Sequence, residues 1–288
     1  MDKDQIITID QFKHPWLFFT LSTIAAWSAW IVAAWFSYSS IPSFLTMVLV
    51  SFFAGVGLLA PAIVTWAMLR QSTVLLSDFW IRLSIRWLQL RYILVGITIM
   101  MGSIVTAQFI SLFFGYSIQQ FSLSHSASFN AGILIGWVPL VLAPIVEEIS
   151  WHGYGTDALR RRMSMLCTSI VFSIYWAIWH FPLAFIKGYY QANLVATGNI
   201  HALNFIISLF PFVIIMNWLY YRSGRSIWVA VVFHLSANIF NEIFQTHPDT
   251  KIIQTLLLII ITLALIAHDP DFFFGYKKFT RVKRKMAL

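Results

Sequence analysis

Two adjacent glutamates, Glu147 and Glu148, directly follow the apolar run ILIGWVPLVLAPI, and His152 stands four residues beyond the second. Two further histidines interrupt apolar runs: His180 in FSIYWAIWHFPL, and His234, with Asn238 one helical turn later, in VVFHLSANIF. Ionisable groups inside hydrophobic segments are expensive and by default mark function. These residue types suit hydrolysis of a peptide bond, which needs an activated water and a donor for the developing oxyanion. A carboxylate in apolar surroundings binds a proton more tightly than in water, so a glutamate there can act as general base. A neighbouring histidine can share the water's proton or position the water. A second histidine and an Asn amide on the same helix face can donate to an oxyanion. Glu148 and His152, at i and i+4, can hold each other by a charge-assisted hydrogen bond.

The elements that must position these groups are membrane helices. Of 288 residues, 59% are hydrophobic and 10% charged, whereas soluble domains run near ~25% charged. A membrane span needs about 20 largely apolar residues. The hydropathy pattern therefore predicts an all-α, polytopic membrane protein of about eight helices, at 15–37, 42–69, 92–115, 129–148, 164–186, 203–221, 226–241 and 252–267. The organisation expected is an N-terminal block of three spans (1–128), a core of four that holds the polar residues (129–245), and a last span with a basic tail (246–288). An antiparallel hairpin turning at Arg161 to Met165 would place Glu147 and His180 at equal depth, about 25 Å of helix from the turn. His234 and Asn238, 10 and 14 residues past Gly224, reach a similar level.

Charge divides the connections. Seventeen of the 19 Lys and Arg fall in the N-terminus, Arg70 to Arg91, Arg160–Arg162, Arg222 with Arg225, and the tail; only Lys187 and Lys251 fall in the alternate set. Basic connections stay in the cytoplasm, so both termini are expected there, in a multi-pass plasma-membrane protein that leans bacterial by its compact loops. The stretch from Arg70 to Arg91 reads as an amphipathic helix on the inner membrane surface, anchored by Trp80, Ile81, Leu83, Ile85 and Trp87. The net charge of +8 and the tail KKFTRVKRK point to anionic lipid rather than nucleic acid. Cys167, the single cysteine, excludes disulfides within the chain and is expected to be a buried, inert thiol. Gly132 and Gly136 fit a close helix contact, and Glu242 a solvated helix end.

The three motifs EEISWHG, YWAIWHFPL and FHLSAN, in that order, resemble the signature of the CPBP intramembrane proteases, the family that includes the CAAX prenyl endopeptidases. That signature has Glu-Glu-x-x-x-Arg, an aromatic four residues before a histidine, and His-x-x-x-Asn. Here Glu147-Glu148, Trp176 with His180, and His234 with Asn238 match it, and the resemblance covers about residues 130–240. It implies that Glu147 with His180 activates water, that His234 with Asn238 stabilises the oxyanion, and that Glu148 is the supporting glutamate. One position departs: His152 stands where the family has arginine, and offers no bidentate fork.

Members of this family are commonly labelled metalloproteases. Glu147, His180 and His234 would give zinc three N/O ligands and leave a place for water; the alternative is metal-free chemistry by glutamate and histidine. A membrane-associated peptide or protein is the implied substrate, a prenylated CAAX tail in eukaryotic members and processed peptides in bacterial ones. Two other classes compete: a proton-coupled transporter using the same groups as a relay, against which no internal repeat is visible, and a non-catalytic scaffold of protease ancestry, which His152 keeps in play.

Overall fold

In a computed structural model the described residues are 9–40, 43–85, 87–124, 128–134 and 136–275. The expected lipid contact of the basic tail lies outside them. Among the described residues the chain is helical, with no strand beyond two isolated bridges. Backbone groups in lipid must be satisfied within the chain, and helices do this segment by segment.

Among the described residues six helical stretches are long and apolar enough to cross a membrane, one of them, Met165–Phe185, only together with its 3-10 continuation. α1 (Pro15–Ser37) starts on a proline, where the missing N–H costs nothing. α2 (Phe44–Leu69) starts from a capping box formed by Ser43 and Thr46. Between them, Gly57 leaves room for Trp30, whose indole nitrogen would lie 2.2 Å from a Cβ at that position and instead donates to the Ala54 carbonyl. α3 (Thr73–Leu83) precedes α4 (Leu90–Leu112). α5 (Trp137–Ser150) runs through a π-helical turn, Trp151–Gly155, into α6 (Thr156–Arg160). α7 (Met165–Trp179) is capped by Ser164 and ends at His180, where the ring of Pro182 enters the following 3-10 turn. α8 (Tyr190–Thr197), α9 (Asn199–Arg222), α10 (Ile227–Glu242), α11 (Pro248–His268) and α12 (Pro270–Phe274) complete the chain.

Two of the expected spans are shorter than a membrane crossing: α5 has 14 residues and α10 has 16. Both are the innermost elements. α5 lies between α2 and α10, while α10 is flanked by α4, α5 and α9. Residues 128–134 form a loop and not the start of a span. Ser51 on α2 donates to the Ala131 carbonyl and accepts from the Ile133 N–H. Gly132 has φ +60°, and a Cβ there would meet the Met47 carbonyl oxygen at 2.1 Å. The close contact expected of Gly132 is thus made by a loop against α2.

Three further expectations are corrected. Cys167 is exposed, because it sits on the outward face of α7, whereas Thr168, Ser169 and Phe172 face the interior. Glu242 is buried: the Ser128 N–H donates to it and Lys251 pairs with it at 3.7 Å, since the 128–131 loop and α11 fold over the end of α10. The basic stretch around α3 is only in part a surface helix. Trp80, Ile81, Ile85 and Trp87 are exposed, as membrane-surface anchors would be, yet Arg82 is 3% exposed.

The reason lies in the π-turn. Its i→i+5 pairing leaves carbonyls that the helix does not use, and Arg82 donates to two of them, His152 O at 2.6 Å and Gly153 O at 2.9 Å. The Asp78 and Asp157 carboxylates meet both Arg82 and Arg225, and the hydroxyls of Tyr220 and Tyr221 donate to Asp157. Removing one member of such a buried set strands the rest. Asp157→Ala is therefore expected to destabilise the fold by about 3–5 kcal/mol, read as a lower unfolding temperature in detergent. An unchanged melt would show that Arg82 and Arg225 do not depend on that carboxylate.

Candidate active site

Glu147 and Glu148 are neighbours on α5, and successive helical residues point about 100° apart. Consequently the two carboxylates enter different surroundings. Glu148 has no solvent access. Its Oε1 accepts from Nδ1 of His234 at 2.8 Å, and its Oε2 pairs with Nδ1 of His152. Glu147, 6% exposed, borders a chamber of about 320 Å³. Its Oε2 accepts from the indole N–H of Trp176 at 3.1 Å and of Trp151 at 3.4 Å. His234 therefore joins Glu148, not Glu147, while its ring still borders the chamber.

His180 reaches the chamber from the end of α7. Its Nδ1 lies 2.6 Å from the Trp176 carbonyl oxygen, which can only accept, so Nδ1 carries the hydrogen and Nε2 offers a lone pair. Asn238 also borders the chamber. One amide hydrogen of Asn238 goes to the Leu140 carbonyl at 3.3 Å, and the second is free for another acceptor. Trp176 ties the group together. It bonds Glu147, its ring is edge-on to His234 at 5.2 Å, and it lies 5.4 Å from the ring of His180. The structure thus gathers Glu147, His180, His234 and Asn238 around one cavity, with Glu148, His152 and Trp176 behind them.

Hydrogen-bond roles around His152 follow from its partners. Ser169 Oγ gives its hydrogen to the Met165 carbonyl and so accepts from the Asn217 amide at 2.9 Å. That turns Asn217 Oδ1 toward Nε2 of His152, 3.0 Å away. Nε2 is thereby placed to donate to Asn217, and Nδ1 faces the Glu148 carboxylate. At the position where arginine was expected, His152 thus meets a polar partner on each ring nitrogen.

No role was assigned from the sequence to Asn217, Ser169, Trp151 or Arg82. Asn217 stands in the apolar run FVIIMNWL, a signal as strong as that of Asn238, but its partner is set by how α9 packs on α7. His201, to which no role was given, borders the chamber; His125 lies outside the described residues. Among the described residues, no three His, Cys, Asp or Glu side chains are grouped to hold a metal ion. With His234 turned to Glu148 and Glu147 held by two indoles, the set Glu147, His180 and His234 does not form a zinc site in this geometry.

A helical membrane bundle with one glutamate, two histidines and an amide bordering a chamber, and a second glutamate behind them, is what an intramembrane protease would need. Residues 128–240 match the family described as type II CAAX prenyl endopeptidase, Rce1-like. Over 270 residues the chain is 33% identical to the "CAAX prenyl protease 2" of Methanococcus maripaludis, an alignment that covers 92% of this chain and 98% of that protein. The chain belongs to the family of CAAX prenyl proteases and is an integral membrane protease.

Asn217→Leu removes the acceptor for His152 Nε2 and leaves a buried donor unpaired, a cost of about 1–3 kcal/mol. The expected result is a lower unfolding temperature in detergent. A melt equal to that of the wild type would mean that His152 does not donate to Asn217.

Proposed function

We propose that the chain hydrolyses a peptide bond of a membrane-associated substrate by water activated between Glu147 and His180. The observation that carries this is the split of the two glutamates, one sealed between two histidines and the other bordering the chamber with one oxygen pinned and the other free to work on water. Glu147 takes a proton from the water as its oxygen attacks the substrate carbonyl carbon, and His180 Nε2 accepts the water's second hydrogen bond. Negative charge then builds on the carbonyl oxygen. The spare amide hydrogen of Asn238 and Nε2 of His234 donate to it, which requires His234 to carry two protons, a state favoured by Glu148 at its Nδ1. Glu147 returns its proton to the departing amine as the C–N bond breaks. No step needs a metal.

The chamber walls include the apolar side chains of Trp30, Leu58, Met100, Leu142, Phe205 and Leu209, beside polar ones such as Asn204, Asn241 and Gln254. They suit a peptide that carries an apolar or lipid-modified end, the kind of substrate named for the relative.

Glu147→Gln is expected to lower cleavage by about three orders of magnitude, as loss of a general base does, with the melt unchanged. Asn238→Ala, which removes one oxyanion donor, is expected to cost about 10²–10³. Substrates are found by comparing peptide termini in host membranes carrying wild type or Glu147→Gln at matched abundance. Termini that vanish in Glu147→Gln, His180→Ala and His234→Ala support proteolysis by this site. Unchanged termini with folded protein present would overturn it.

A further inference from the structure

The chamber carries a second group of polar side chains at its rim, where Tyr190, His201 and Lys251 are half-buried. Gln191 of α8 borders the chamber and is 8% exposed, and its Oε1 is buried with no hydrogen-bond partner among the described residues. His201 of α9 has a buried Nδ1 that is likewise unpartnered among them, and its Nε2 faces Asp249 at 3.6 Å. Lys251 of α11 stands 3.7 Å from the Glu242 carboxylate, with its ammonium 5.9 Å from the ring centre of Tyr190. The three belong together. Tyr190 precedes Gln191 and meets Lys251, and Asp249, which faces His201, stands two residues before Lys251. Buried polar atoms are nearly always bonded, so two unpaired ones bordering the same cavity call for a partner.

An aromatic path links this group to the candidate site. The ring of Phe205 is edge-on to His180 at 5.4 Å and lies 6.1 Å from that of Tyr190. Along α10, Glu242 stands eight residues beyond His234, about 12 Å at the helical rise. An extended peptide covers that distance in about three or four residues.

The charges decide what such a group holds. Lys251 is matched by Glu242, and His201 faces Asp249. A free carboxylate or a phosphate would therefore meet no unbalanced cation. What the group offers is mixed: Gln191 Oε1 accepts, Lys251 donates, and an imidazole whose hydrogen faces Asp249 accepts at Nδ1. A peptide backbone, with one donor and one acceptor on almost every residue, matches that set. Inside a membrane it also has to find such partners.

We propose that Gln191, His201 and Lys251 form a backbone-binding subsite, which holds an extended stretch of the substrate about three or four residues from the scissile bond. The distance from the scissile bond rests on the protease reading above; the binding does not.

The probe is a fluorescent peptide with a prenylated CAAX end. Its binding to the Glu147→Gln protein in detergent is read by fluorescence anisotropy, so that turnover plays no part. Adding Gln191→Leu removes an acceptor that has no partner within the described fold, and the unfolding temperature is expected not to fall. Binding is expected to weaken by about two- to ten-fold, the worth of one neutral hydrogen bond, and His201→Leu is expected to do the same. Methylating the peptide's amide nitrogens one at a time should find a position that weakens binding to the protein with Gln191 and has no further effect on Gln191→Leu. Unchanged binding in either variant, or methylation effects that add to Gln191→Leu at every amide, overturns the subsite. So does a peptide that binds none of these proteins. A peptide that binds as expected but is not cut by the wild type leaves the subsite standing and fails the protease reading.

Discussion

A carboxylate without access to water must be matched by donors of its own, and Glu148 is such a group. Its two oxygens are met by His152 from the same helical segment and by His234 from α10. This requirement joins α5 to α10 at a fixed rotation and depth. It also sends Glu147, one position earlier and turned by about 100°, toward the chamber. The positions of Trp176, His180 and Asn238 are then defined relative to a carboxylate that cannot swing away. Breaking a buried ion pair from one side commonly costs several kcal/mol, so the anchor resists local opening where the site must stay ordered.

The second constraint is the π-turn that places His152. An α-helix continued through Gly155 would use the His152 and Gly153 carbonyls internally; the wider turn frees them, and Arg82 takes both. The small residues Gly153 and Gly155 admit the neighbours this needs, with Phe79 and Thr65 close to Gly153 and Phe18 close to Gly155. A short helix at the bundle end, α3, is thereby tied to the active segment through a buried arginine. The chain Met165–Ser169–Asn217–His152–Glu148 extends the same logic across α7 and α9. Each link satisfies the next, as polar groups must in a low-dielectric interior.

The molecule is polarised as a result. One end is filled with interlocking charges and aromatic rings, including Phe12 over which Arg82 and Arg225 lie at 5.5 and 5.6 Å. The other end holds apolar walls and a rim. A peptide backbone exposed to lipid would leave its polar groups unpaired, and a cavity that carries polar groups inside gives such a backbone somewhere to bond.

By itself the sequence determined the membrane class and the helical content, and it marked polar side chains that the fold gathers together, because such a group in an apolar run is too costly to be incidental. Glu147, Glu148, His180, His234 and the amide of Asn238 stood out for that reason, and so did the unequal sharing of Lys and Arg between alternate connections. Pairing was not legible. Whether His234 meets Glu147 or Glu148 depends on a helix rotation of about 100°, which packing sets and local sequence does not. The same holds for Cys167, turned outward on α7, and for Arg82 and Glu242, which carry ordinary surface chemistry until a neighbouring segment covers them. Residues 129–134 looked like the start of a span by hydropathy, yet Ser51 draws Ala131 and Ile133 into a loop against α2. Hydropathy records how much each residue dislikes water, and only the tertiary fold decides which partner relieves it.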